Sequence, residues 1–118
     1  MQTSTLEAHI IKVLKAADEP FEREKIYKKT RIGRCRFDFY LPNRNILIEV
    51  DGSQHYDRGR NRAGQERDRR KNAFALAHDI PLYRIPYYDV FSIQKIEEIL
   101  KEDFLVKSKW HNDELERK

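Results

Sequence analysis

Cysteine is nearly absent from this chain. Cys35 is alone among 118 residues, which excludes an internal disulfide and any cysteine-rich zinc site. Long apolar runs are missing as well. None is long enough to span a membrane, and the N-terminus has no signal-peptide core. There is no internal repeat and no low-complexity segment. Hydrophobic residues make up 39% and charged residues 37%, so the expected core is lean and the surface heavily charged. These deficits predict a soluble, cytoplasmic protein with one modest core. Residues 1–104 read as a single domain and 105–118 as a polar C-terminal tail.

What is present in excess is positive charge, unevenly placed. The net charge of +4 conceals two basic segments. Asp57–Lys71 carries seven cations and three acids, and Glu22–Arg36 carries seven cations and two acids. Most charge runs are only solvated surface. These two bracket a group of acids, an arrangement suited to carrying a polyanion across them. Arg34, Arg36, Arg58, Arg60, Arg62, Arg67 and Arg70 are the candidate phosphate contacts.

Periodicity gives the elements. Ser4, Thr5, Leu6 and Glu7 form a capping box ahead of apolar residues at helical spacing, predicting a helix over 5–17. The stretch 21–29 is ambiguous between helix and strand; the weak alternation over Lys25–Lys28 favours a strand that opens the sheet. Two apolar-aromatic runs, Arg36–Leu41 and Ile46–Asp51, flank Pro42, Asn43, Arg44 and Asn45, which predicts a hairpin. Residues 53–64 read as a polar loop, and Gln65–His78 as a helix. Ile80–Ile85 reads as a strand stopped by Pro86. Ser92 is expected to cap a last helix that turns Ile93, Ile96, Ile99 and Leu100 inward. The order predicts an α/β fold, a mixed sheet flanked by helices.

The hairpin carries the chemistry. If Pro42 faces Asn45, Asp38 lies opposite Glu49, and strand alternation puts Asp38, Glu49 and Asp51 on one face. Phe37, Phe39, Ile46, Ile48 and Val50 are then expected on the other. Like charges facing each other across a ladder are destabilising, and a hard divalent cation is the simplest compensation. Asp38 and Glu49 are the expected carboxylate ligands of Mg²⁺ or Mn²⁺, with the carbonyl of Val50 a third. Asp51 would orient a ligand water or assist a base. His55, just past the strand end, is the candidate general base, general acid or donor to phosphate, against the commoner case of a loop histidine of no consequence. Asp68 and Lys71 share one helix face; a surface ion pair explains them as well as a role at the metal does. Glu7 has its capping role as a sufficient explanation, with a reach to the site through water as the alternative.

These residues resemble the PD-(D/E)XK nuclease superfamily, and more closely its very-short-patch-repair-like branch, sometimes labelled EDxHD. The matching stretches are FDFYLPNRNILIEVDGSQHY at 37–56, RDRRKNAFA at 67–75 and IPLYRIPY at 80–87. A weaker match extends to Ser4–Glu7. The resemblance implies a restriction-endonuclease-like core with the metal at the hairpin. It implies Asp38 as principal metal ligand, with Glu49, Asp51, His55 and Asp68 completing the signature and Glu7 an outlying helper. The superfamily's usual lysine, two positions after the acid, is here Asp51. Proton handling then falls to His55, Lys71 or water, a departure that close relatives share.

The expected activity is metal-dependent DNA cleavage by a phage or mobile-element endonuclease, acting as monomer or homodimer with no membrane partner. Two other readings remain. One is a catalytically inactive nucleic-acid binder on the same fold. The other is a protein-interaction domain using Tyr83, Tyr87, Tyr88 and Trp110.

Overall fold

The computed structural model describes residues 4–28, 34–52 and 62–107, with the side chains of 62–65 left aside. Helix α1 spans Thr5–Ala16 and begins with the expected reciprocal cap. The Ser4 hydroxyl accepts from the Glu7 amide, and the Glu7 carboxylate accepts from the Ser4 amide. Strand β1 (Glu22–Tyr27) pairs antiparallel with β2 (Cys35–Leu41), and β2 pairs antiparallel with β3 (Ile46–Asp51). Helix α2 (Arg62–Ala77) then crosses over so that β4 (Leu82–Pro86) lies parallel to β3. The sheet order is β1-β2-β3-β4. Short helices α3 (Tyr87–Val90) and α4 (Ile96–Ile99) follow. This is an α/β protein with a four-stranded mixed sheet between helices. None of the described helices is long and apolar enough to cross a membrane.

The sheet has a core on each face. Ile10, Val13 and Leu14 of α1 pack with Phe39, Leu41, Ile46, Ile48 and Ile85, and Val90, Ile93, Ile96 and Ile99 close that side. On the other face Phe74 and Ala75 of α2 pack with Cys35, Phe37, Leu47 and Leu82. Both long helices end on an aspartate in the left-handed region, Asp18 at φ 52° and Asp79 at φ 57°. The next amide bonds back to Leu14 or Ala75, a C-terminal cap more often built on glycine.

The hairpin register is the expected one: Leu41 opposes Ile46, Tyr40 opposes Leu47 and Phe39 opposes Ile48. The face assignment needs one correction. Phe37 does not share a face with Phe39; it stacks near Phe74 and Tyr27 on the α2 side. The reason is Glu24, whose backbone is left-handed at φ 52°. It turns β1 over, so that Arg23 lies against Phe39 while Lys25 lies over Tyr40 on the opposite face. Strand β2 turns over with it, and Asp38 sits at the turnover.

Other boundaries also moved. Helix α2 starts at Arg62, inside the expected loop. Strand β4 keeps Pro86, which then serves as N-cap residue of α3. Ser92 caps no helix; its hydroxyl donates to the Asp89 carbonyl, and Glu98 caps α4 by accepting from the Gln94 and Lys95 amides. The expected tail begins with ordered pairing: Leu105 bridges Tyr83, and the Val106 amide donates to the Leu82 carbonyl. Tyr83 is half-buried against the α1-side core, whereas Tyr87 and Tyr88 are exposed.

Candidate metal and nucleic-acid site

The parallel pairing of β3 with β4 brings their C-terminal ends to one edge of the sheet, where Asp51 pairs with Pro86. Antiparallel β2 starts at that edge, and α2, which returns from it, also begins there. Asp38, Glu49, Asp51, Asp68 and Lys71 are thereby gathered at one end of the sheet.

At this end the β2–β3 ladder gives way to side chains. Beyond the Phe39–Ile48 pair, the Asp38 amide donates to Glu49 Oε2 at 3.3 Å. The Val50 amide donates to Asp38 Oδ2 at 2.8 Å. Backbone donors released by the turnover are thus satisfied by the two carboxyls. Glu49 is only 4% exposed. The Lys71 ammonium reaches across from α2 to Glu49 Oε1.

The two acids respond oppositely. Desolvation, then the negative charge of Glu49 and the hydrogen bond shared with it, push Asp38 up to about 9. Burial acts to raise Glu49 too, but the hydrogen bond from Asp38 and the charges of Lys71 and Arg84 overcome it, holding Glu49 below the usual carboxylate range. These opposite shifts favour the proton on Asp38 and the negative charge on Glu49.

Asp51 and Asp68 face elsewhere. Arg84 of β4, register neighbour of Glu49, places Nη1 3.0 Å from Asp51 and 3.5 Å from Asp68. Its Nε donates to buried Asn72 at 2.8 Å. Glu7 is 3.1 Å from Arg23 and close enough to act electrostatically on Asp38. Neither Arg23, Arg84 nor Asn72 was among the sequence-derived candidates. A charged residue inside the apolar run Leu82–Ile85 was the available signal for Arg84. Its position beside Glu49 depended on a β3–β4 register that local sequence does not encode.

Arg34, Arg36, Arg67 and Arg70 line one cleft of about 420 Å³, together with Cys35 and Lys71. Arg36 is 3.2 Å from Glu24, and Arg70 3.6 Å from Glu66. Both arginines remain largely exposed. Arg62 opens α2. His55, Arg58, Arg60 and Trp110 lie outside the described residues.

Among the described residues, no group of three or more histidine, cysteine, aspartate or glutamate side chains is arranged to hold a metal ion. Two carboxyls in contact are nevertheless a fitting donor set for Mg²⁺, which is commonly bound through one or two carboxylates and retains water or phosphate as its other ligands. Comparisons with protein-family models, curated proteins and solved structures give no significant match.

Proposed function

We propose that this chain is a divalent-metal-dependent DNA endonuclease with a restriction-endonuclease-like core, of the very-short-patch-repair-like kind. The observation carrying this reading is the Asp38–Glu49 pair at the opened end of the hairpin ladder. A half-buried carboxyl kept protonated by a neighbouring carboxylate is a poor arrangement for stability alone. A Mg²⁺ or Mn²⁺ ion would replace that proton and turn the repulsion into attraction. Asp38 and Glu49 would hold it, with the Val50 carbonyl beside them as the third donor. When bound, such an ion polarises a phosphoryl oxygen and lowers the pKa of its water.

The chain's own residues supply the rest. Arg34, Arg36, Arg67 and Arg70 hold the DNA backbone in their cleft. Lys71 belongs both to that cleft and to Glu49, so it links phosphate binding to the carboxylates. Its ammonium meets the scissile phosphate or steers the attacking water. His55, in the segment leaving β3, carries the proton to or from the reacting oxygen. The host cytoplasm is the compartment that suits a phage-encoded enzyme of this kind.

Supercoiled plasmid incubated with Mg²⁺, Mn²⁺ or EDTA tests the proposal. Metal-dependent nicking or linearisation by the wild type, absent in Asp38→Ala, is the expected result. Full activity in Asp38→Ala, or no cleavage of any duplex or branched DNA, would refute it. A second reading, a DNA-binding module without catalysis, draws on the Lys71–Glu49 ion pair, which by itself satisfies a buried carboxylate. Salt-dependent DNA binding without metal uptake would favour that reading.

A further inference from the structure

Asp51 and Asp68 are carried to the same end of the sheet as the carboxyl pair, and both meet Arg84. The arginine is held from several directions. Nε donates to Asn72 Oδ1 at 2.8 Å, Nη1 to Asp51 Oδ1 at 3.0 Å, and Nη2 to the Asp68 carbonyl at 3.2 Å. Nη1 also lies 3.5 Å from Asp68 Oδ1. The side chains of Arg84 and Asp51 are each 14% exposed, and Asn72 is 2% exposed. A planar guanidinium fixed along both edges is far less free to reorient than a surface arginine.

From this geometry we infer that Arg84 is a positioning residue that withdraws Asp51 and Asp68 from the cation and leaves Asp38 and Glu49, among the described residues, as its acidic ligands. The inference rests on reading that pair as a metal site, and it departs from a site built on three carboxylates of one sheet face. It has two physical consequences. First, Arg84 limits the negative charge offered to the ion, so the site binds a divalent cation loosely and leaves room for phosphate oxygens. Second, Asp68, Lys71 and Asn72 lie on adjacent turns of α2, so the same guanidinium fixes the height at which Lys71 meets Glu49. Lysine at position 84 would keep the charge but could not span Asn72, Asp51 and Asp68 together.

Mn²⁺ titration of the full chain by calorimetry, with circular dichroism to verify folding, tests this without reference to cleavage. Asp51→Asn is expected to leave the Mn²⁺ dissociation constant within about twofold of wild type, because Asp51 is no ligand. Arg84→Gln is expected to bind Mn²⁺ at least about threefold more tightly, since it removes a positive charge from beside Asp51, Asp68 and Glu49. Adding Asp51→Asn to Arg84→Gln should cancel most of that gain. A tenfold weakening in Asp51→Asn alone would overturn the inference, as would equal or weaker binding by folded Arg84→Gln. If Arg84→Gln does not fold, the Asp51→Asn result decides alone. Absence of Mn²⁺ uptake by the wild type would instead remove the metal-site reading on which the inference stands.

Discussion

The Val50 amide donates to Asp38 Oδ2 across 2.8 Å, so a side chain takes the place of a rung of the β2–β3 ladder. This bond ties the candidate ligand to the backbone of the strand that carries Glu49. It also distinguishes two substitutions at the same position. Asp38→Asn can keep the bond to Val50 through its amide oxygen, whereas Asp38→Ala leaves that half-buried N–H without this acceptor. Both are expected to lower metal-dependent cleavage at least about a hundredfold. Only the alanine variant should also lose stability, by about 0.5–1.5 kcal/mol, the net contribution of one hydrogen bond at a half-buried donor. Denaturant melts beside a nicking assay separate the two effects. Equal destabilisation by both substitutions would mean that the bond to Val50 contributes little.

The pH dependence follows from the same pair. Asp38 is raised to about 9 in the fold, far above an unfolded aspartate. Between about pH 4 and pH 9 the folded protein therefore holds a proton that the unfolded chain has released. Its contribution to stability is complete below the ordinary aspartate pKa and is lost as pH rises. Glu49 is lowered, so its contribution is present above the ordinary glutamate pKa and is lost on acidification. In EDTA, wild-type stability should fall relative to Asp38→Asn as pH climbs from about 5 to 8.5, by at most about 1.4 kcal/mol per pH unit. Because a cation displaces the proton, the thermal shift produced by Mg²⁺ should grow over the same range. Parallel melting curves for the two proteins at every pH would contradict the assignment of the raised pKa to Asp38.

Lys71 offers a separate check. It is the nearest cation to a carboxylate that is 4% exposed. Removing one partner of a buried pair is costly because the other charge stays buried. Here Arg84 and the Asp38 hydrogen bond still support Glu49, so the loss in Lys71→Met should lie below the usual 3–5 kcal/mol, at about 1–3 kcal/mol. Mg²⁺ should recover part of it by supplying a new positive charge. A Lys71→Met protein as stable as wild type in EDTA would show that Glu49 does not depend on the ion pair.

The hairpin was legible because its information is local. A four-residue turn and two apolar runs set the register, and the register brought Asp38 opposite Glu49. Alternation then overreached at Phe37, since Glu24 at φ 52° reverses both strands. A glutamate in the left-handed region carries no sequence signal comparable to glycine. Arg84 escaped notice for a different reason. Its value depends on the parallel β3–β4 pairing and on the crossover of α2, both non-local. Glu7 was read correctly as a cap, but its partner Arg23 was not foreseen, because their contact joins a helix to a strand across a turn.

Ser4 and Glu7 test whether the capping box and the site are separable. Ser4→Ala removes the hydroxyl that accepts from the Glu7 amide, and should cost about 1 kcal/mol with metal-dependent cleavage retained in folded protein. Glu7→Gln keeps a side-chain acceptor for the Ser4 amide but discharges the partner of Arg23. If Glu7 acts only as a cap, Glu7→Gln behaves like wild type in cleavage. A loss of tenfold or more at full folding would assign Glu7 a part in the chemistry.

The arginine cleft makes the most direct claim on DNA. Arg67 and Arg70 line it from α2, and Arg34 and Arg36 from the start of β2. If these four contact phosphates, each removal should weaken binding similarly for all sequences and lower the salt slope by about one unit. Arg67→Ala with Arg70→Ala should therefore reduce the slope of log K against log salt by about two, without changing Mn²⁺ affinity in the absence of DNA. Fluorescence anisotropy with a labelled duplex, in Ca²⁺ or EDTA to prevent cleavage, measures the slope. An unchanged slope would place the DNA backbone elsewhere on the surface, and the carboxyl pair would then lack the polyanion path that its position at the edge of this cleft suggests.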